Sequence, residues 1–226
     1  PISALIAIDR MEEVDERAEG LVTVRAPRSP VAEAYRGLRT NLEFALLGRP
    51  AGPLTITSAN PGEGKSTTAA NLATVFAQTG RRVILMDGDL RKPSTHRFFD
   101  LANNVGFTSL LLDPDLSLDS ALRTVDTVPN LRVLTSGPLP PNPAEVLSSA
   151  RAREIIDQLC AQADLVVIDC PPILAVTDAA ILSARACGTL MVFDAPVTRL
   201  DAARKALEVL EKAGIKPLGA VINKLD

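Results

Sequence analysis

Tryptophan is absent from this 226-residue chain, tyrosine and histidine occur once each, and aromatics make up 3% of the residues. That leaves no obvious platform on which single-stranded nucleic acid could stack its bases. Net charge is −3 and there is no long basic run, so a general nucleic-acid role finds no support. The three cysteines, Cys160, Cys170 and Cys187, are spaced for neither a disulfide framework nor a zinc site. They read as small buried hydrophobes in a reducing cytoplasm. No apolar run reaches the ~20 residues of a membrane span. An initiator methionine is missing as well. The chain opens at "PISALIAID", as expected of a processed or excised piece whose membrane attachment, if it has one, lies elsewhere. What is present is 46% apolar and 23% charged, a globular balance in a chain long enough for one large α/β domain with a sizeable core.

Residues 1–30 combine an apolar start, an acidic run, "MEEVDERAE", and a proline-punctuated link, "APRSP". They read either as an extended arm with a short strand at 21–25 or as a poorly ordered terminus. From Pro30 the pattern turns helical. Val31, Tyr35, Leu38, Leu42 and Leu46 share a face, Ser29 caps the start and Gly48 ends it. Strands and helices then alternate. "LTITSA", "RVILMDGD", "LRVLTS", "LVVIDC", "TLMVFDA" and "LGAVIN" are short apolar runs of the kind covered on both faces. Helices are expected at about 65–79, 117–125, 144–162, 177–185 and 199–213. The last has Leu200, Ala203, Leu207 and Leu210 on one face, a capping box in Thr198 with Asp201, and Gly214 as its stop. The alternation predicts an α/β fold: a mostly parallel sheet with helices on both faces. The expected division is an arm over 1–30 and one domain over 31–226 that opens with the helix 31–47.

The chemistry concentrates in "SANPGEGKST", residues 58–67. It follows a strand, leads into an apolar-periodic helix and matches G-x-x-x-x-G-K-[ST], with Ala59 in place of the first glycine. Gly62 and Gly64 permit turns with positive φ. After Pro61, which has no N–H to give, the backbone N–H groups of Gly62–Thr67, Glu63 included, then surround a concavity that suits phosphate oxygens, and the helix N-terminus adds donors. Lys65 can reach the β- and γ-phosphates, and the Ser66 hydroxyl can ligate Mg2+. A metal on phosphate calls for carboxylates. "VILMDGDLR" places Asp87 and Asp89 two apart after a buried run, and "LVVIDCPP" places Asp169 at the end of another. In open parallel sheets ligands bind beyond these strand ends.

The combination resembles the bacterial tyrosine kinases of capsule and exopolysaccharide synthesis, whose phosphate loop, diverged second Walker motif and Walker B look like these three stretches. Cys170 stands where that family usually has threonine. "SPVAEAYRGLRTNLEFA" and "LTSGPLPPNPAEVLSS" match too, so the resemblance covers most of residues 20–225. It implies a P-loop NTPase fold of the deviant-Walker, MinD-like class and an ATP- and Mg2+-dependent protein-tyrosine kinase. In that reading Lys65 binds phosphate, Ser66 and one or more of Asp87, Asp89 and Asp169 hold the metal, and Asp87 is the candidate base for the tyrosine hydroxyl. It also implies a piece that is itself soluble, at the cytoplasmic face of the bacterial inner membrane. Its partners would be a transmembrane chain-length or activator domain and the Tyr-rich tail of a neighbouring subunit.

Several residues keep two readings. Glu33, Arg36 and Arg39 spiral away from the apolar face. Spacing alone favours a solvated face with an internal Glu–Arg pair, worth only about 0.3 kcal/mol. The resemblance makes them contacts in a homo-oligomeric ring. Asn223 is either an adenine contact, as in related ATPases, or a turn residue. Arg91 is either a phosphate contact or a surface residue. His96 reads as structural. The chain departs from the family in having one tyrosine, Tyr35, and no terminal tyrosine cluster. The competing reading is an ATP-dependent assembly switch like the partitioning and division-site ATPases, MinD and ParA, without protein phosphorylation. Those carry a lysine early in the loop, whereas none precedes Lys65 here. A third reading is a polysaccharide regulator that binds ATP but has lost transfer.

Overall fold

Apolar runs too short for helices and buried on both sides become the strands of one sheet. The computed structural model describes residues 4–9 and 21–225; the acidic run at 11–19 lies outside them. The strands are β1 (Ala4–Asp9), β2 (Leu54–Ser58), β3 (Val83–Asp87), β4 (Arg123–Thr124), β5 (Leu131–Leu134), β6 (Leu165–Asp169), β7 (Gly188–Asp194) and β8 (Pro217–Leu225). The helices are α1 (Val22–Arg25), α2 (Pro30–Leu46), α3 (Lys65–Ala77), α4 (Thr95–Phe98), α5 (Phe107–Leu112) and α6 (Leu118–Ala121), followed by α7 (Pro143–Ser148), α8 (Ala150–Gln162), α9 (Asp178–Ser183) and α10 (Leu200–Lys212).

The described strands form an eight-stranded sheet in the order β1-β8-β7-β2-β6-β3-β5-β4. Every neighbouring pair is parallel except β4 with β5. Successive residues of a strand face opposite sides, and β3 shows the result. Val83 and Leu85 join the apolar layer containing Tyr35, Leu38, Leu72 and Phe76, while Ile84 and Met86 join the layer containing Ile168, Leu159 and Leu210. Both faces are therefore covered, as the apolar runs predict. The central helix α3 is buried along nearly its whole length, and its alanines let it lie close to the sheet.

At the start of α2, Ser29 Oγ accepts the Ala32 N–H at 3.1 Å, with Pro30 in the first turn, as expected. Four local expectations fail. Residues 21–25 form no strand. The Leu21 carbonyl accepts from Val24 and Arg25, and the Thr23 hydroxyl and N–H both bind Asn71 Oδ1 at 2.9 and 3.1 Å, which winds the segment into α1 against α3. The helix expected at 117–125 stops at Ala121, because Arg123 and Thr124 pair antiparallel with β5. The helix expected at 144–162 is two helices broken at Ser149, which is extended (ψ 155°) and caps α8 through its hydroxyl. Finally, Thr198 caps nothing, and of the face expected on α10 Leu200 is 67% exposed, whereas Ala203, Leu207 and Leu210 pack on the core as expected, with Ala206 beside them. The apolar start of the chain, read as part of an arm, contributes β1, which pairs parallel with β8 at the sheet edge.

Helix α2 packs on β1 and α3, and Leu38 is fully buried there. Leu38→Ala should cost about 3 kcal/mol through lost burial and a residual cavity. The check is a lower urea midpoint at unchanged m-value; a change under ~0.5 kcal/mol, typical of surface sites, would contradict this packing.

Candidate active site

Strand β2 ends in the centre of the sheet, and the turn that follows it leads directly into α3. Gly62 and Gly64 have φ of 84° and 91°. At Gly64 a side chain is barred twice, since a Cβ would also lie 2.1 Å from Asn223 Nδ2. The backbone of this loop faces a cavity of about 590 Å3. Its one acidic side chain does not. Glu63, 2% exposed, turns inward to accept from the Asn60 N–H (2.9 Å), Asn60 Nδ2 (3.1 Å) and the Thr198 hydroxyl (2.6 Å). Glu63 therefore holds the loop's shape and leaves the N–H groups to the cavity. Asn223 does the same from β8, donating to the Glu63 carbonyl at 3.1 Å.

The acids predicted from separate strand ends converge here. Lys65 Nζ lies 3.1 Å from Asp89 Oδ2, 3.4 Å from Asp169 Oδ1 and 3.1 Å from Ser66 Oγ. Asp87 and Asp169 are register partners on β3 and β6, so their carboxylates sit side by side, and both are fully buried. Asp87 accepts from the N–H groups of Asp89 (3.2 Å), Ser94 (3.1 Å) and Thr95 (3.0 Å). Asp89 Oδ1 accepts from those of Arg91 (3.2 Å) and Lys92 (3.0 Å). The two carboxylates thus shape the loop 88–95, and of the three acids only Asp89 lines the cavity.

Burial pushes the Asp87 carboxyl up to about 7, with the neighbouring Asp169 charge adding to the effect and the Thr95 N–H and Lys65 opposing it. Asp169 is also raised by burial, against the pull of Lys65. Burial works against the Lys65 ammonium, but the charges of Asp169 and Asp89 outweigh it and raise its pKa. These are the effects expected of one cation among several desolvated carboxylates.

Arg91 lines the cavity with its guanidinium held by Asp178, Nε to Oδ2 at 2.9 Å and Nη2 to Oδ1 at 3.1 Å. Asp178 is fully buried at the start of α9 and escaped the sequence reading. Its only local signal is an acid in a first helical turn, which every helix favours. Asp194 and Lys224 were missed as well; they pair at 2.6 Å beside the loop.

The other singled-out residues lie apart from the acids. Glu33 and Arg36 form the internal pair at 2.6 Å, and Arg36 also donates to the Pro27 carbonyl. Arg39 reaches across to the Val75 carbonyl at 3.3 Å. His96 is half-buried, and burial with Arg97 nearby lowers its pKa. Tyr35 is a buried wall residue of the cavity, with its phenol raised to about 12 by burial. The cysteines are free; Cys170 and Cys187 are buried as expected, whereas Cys160 is only half-buried. Among the described residues no helix is long and apolar enough to cross a membrane.

The site fits a nucleotide with Mg2+. Asp169 Oδ2 is buried without a hydrogen-bond partner, and nothing lies within 4 Å of the Cβ position at Gly62, so the cradle is open. No group of three or more His, Cys, Asp or Glu among the described residues stands ready to hold a metal by itself. That suits Mg2+, which keeps several waters and takes phosphate oxygens as ligands.

Residues 52–225 match the family described as ParA, NUBPL iron-transfer P-loop NTPase. The chain is 49% identical over 203 residues to tyrosine-protein kinase YwqD of Bacillus subtilis (strain 168), covering 90% of this chain and 85% of that one. Among solved structures it is similar to the chimerical protein CapA2B2, with a TM-score of 0.91, 37% identity, and 99% and 95% of the two chains covered. It is also similar to the kinase domain of the Escherichia coli tyrosine kinase ETK, with a TM-score of 0.90, 30% identity, and 99% and 91% covered.

A carboxyl whose folded pKa is raised stabilises the fold below its unfolded value and loses that contribution as pH climbs to the folded value. With Asp87 at about 7 against an ordinary 3.8, the ligand-free protein should lose stability between about pH 4 and 7. Lys65→Met removes the compensating cation, so its Tm deficit relative to wild type should be larger at pH 8 than at pH 5. Equal deficits would show that the carboxylates do not depend on Lys65.

Proposed function

The chain belongs to the bacterial tyrosine kinases, on the ParA-type P-loop NTPase fold, and we propose that it transfers the γ-phosphoryl group of ATP to tyrosines of a neighbouring subunit's Tyr-rich tail, in the service of capsular or exopolysaccharide synthesis and export. The observation that carries this reading is the convergence of Lys65, Asp89 and Asp169, from a glycine turn and two separate strand ends, into one ion cluster at the edge of the cavity that Lys65 and Asp89 line. Bound Mg·ATP supplies the phosphoryl group and the ion that offsets its charge. The chain's own residues align and neutralise, which is most of what phosphoryl transfer requires. The loop N–H groups and Lys65 hold the phosphates. Ser66, Asp89 and Asp169 hold the metal, directly or through water.

The proton of the acceptor phenol passes to the Asp87–Asp89 pair. Asp89 lines the cavity, and Asp87, the candidate base, accepts the Asp89 N–H at 3.2 Å. Arg91, aimed by Asp178, adds a donor edge for phosphate. The base fits against Asn223 and the apolar wall of Ile8, Val31 and Tyr35. Glu33, Arg36 and Arg39 are proposed to join copies into a ring. A transmembrane chain-length or activator domain is the proposed partner at the cytoplasmic face of the inner membrane. Against the assembly-switch reading stand the kinase names of the relatives at 49% and 30% identity and the lack of a lysine ahead of Lys65.

Incubated with Mg·ATP and a Tyr-rich tail peptide, the wild-type chain should form phosphotyrosine, detected by mass spectrometry. Lys65→Met should lower the rate at least ~100-fold, as loss of a charge-stabilising donor does. ATP hydrolysis with no phosphotyrosine would put the assembly switch in place of the kinase.

A further inference from the structure

Consecutive residues of a strand face opposite sides, yet Asn223 and Lys224, at the end of β8, both reach the phosphate loop. Asn223 Nδ2 donates to the Glu63 carbonyl at 3.1 Å, and Lys224 Nζ donates to the Gly62 carbonyl at 3.0 Å. The cause is in the backbone. Lys224 has φ of 57°, in the left-handed region that a Cβ disfavours. A residue persists there only when its surroundings over-determine it. Here they do so through Asp194, which ends β7. Asp194 Oδ2 holds the Lys224 ammonium at 2.6 Å, and the Asp194 N–H binds the same Thr198 hydroxyl that donates to Glu63. Asp194 is 4% exposed, and its Oδ1 is buried without a partner. The ends of two strands therefore grip two successive carbonyls and one side chain of the loop.

Charge gives this grip a second use. Lys65 is flanked by Asp89 and Asp169, Arg91 by Asp178, and Lys224 itself by Asp194. Lys224 lines the same cavity. An ammonium has three N–H donors; Gly62 and Asp194 take two, which leaves one for a ligand. We propose that Lys224 is a positioning residue for the phosphate chain of the nucleotide: it sets the Gly62 turn and adds a cation to the cavity, with Asp194 fixing its place. The lysine that the front of the loop lacks is thus supplied by a strand end 162 residues further on. The proposal rests on the nucleotide reading above.

Titration calorimetry with ADP on wild type, Lys224→Met and Asp194→Asn tests it. A pair that only braces the fold loses the same interaction in either variant, so both would weaken binding alike. If Lys224 acts on the phosphates, the two diverge. Lys224→Met should weaken ADP about tenfold, as loss of a charge-assisted hydrogen bond does. Asp194→Asn also breaks the ion pair that a brace would rely on, but it leaves the Lys224 ammonium in the cavity without a competing anion, so it should bind ADP as tightly as wild type or more tightly. Equal loss in both variants, or wild-type affinity in Lys224→Met, overturns the proposal. If Lys224→Met does not fold, Asp194→Asn decides alone: retained affinity supports the proposal and lost affinity overturns it. A wild-type chain that binds no ADP would overturn the nucleotide reading along with it.

Discussion

One ammonium among three desolvated carboxylates is the interaction on which this structure turns. Asp87 and Asp169 are brought side by side by parallel register, Asp89 follows two residues on, and Lys65 is the cation between Asp89 and Asp169. Removing carboxylates from water is costly unless charge is returned to them. One lysine does not return enough, which is why the Asp87 carboxyl is held near neutrality. In the proposed function the imbalance is also a preparation: a divalent cation carried in with phosphate would supply the missing charge, beside an Asp169 Oδ2 that is buried without a hydrogen-bond partner.

The scaffold serves that cluster. Strands buried on both faces leave their polar groups at the carboxyl edge, and the central strand hands the chain to α3 through a turn only glycines can make. Around the turn, side chains and backbone divide the work. Glu63, Asn60, Asn223 and Thr198 bond to one another and to the loop, so the loop's N–H groups remain directed at the cavity. Such preorganisation lets a site stabilise transferring charge without reorganising as the reaction proceeds. Arg91 follows the same logic, since a two-point pair with a buried acid fixes the plane of its guanidinium.

The sheet, the phosphate loop, the Ser29 cap and the three acids were legible because each is written in a few neighbouring residues. Apolar runs announce buried strands, and strand–glycine–lysine–helix announces phosphate. The errors arose where a distant partner overrode a local preference. Thr23 winds into α1 because Asn71, 48 residues away, accepts both its donors. Arg123 and Thr124 leave a helical pattern to pair with β5. Thr198 gives up a capping role for Glu63, 135 residues earlier.

The sequence by itself determined that this chain makes a parallel sheet, places a glycine–lysine turn between a central strand and a helix, and carries acids at the strand ends, since those features depend on local sterics, alternation and the chemistry of single residues. Only the tertiary structure decided which opposite charge each group meets: Arg91 with Asp178 at 87 residues' separation, and Lys224 with Asp194 at 30. Propensity and spacing carry no term for such pairs. They exist because packing brings two strand ends and a helix start to the same edge of the sheet, where burial makes the choice of partner matter.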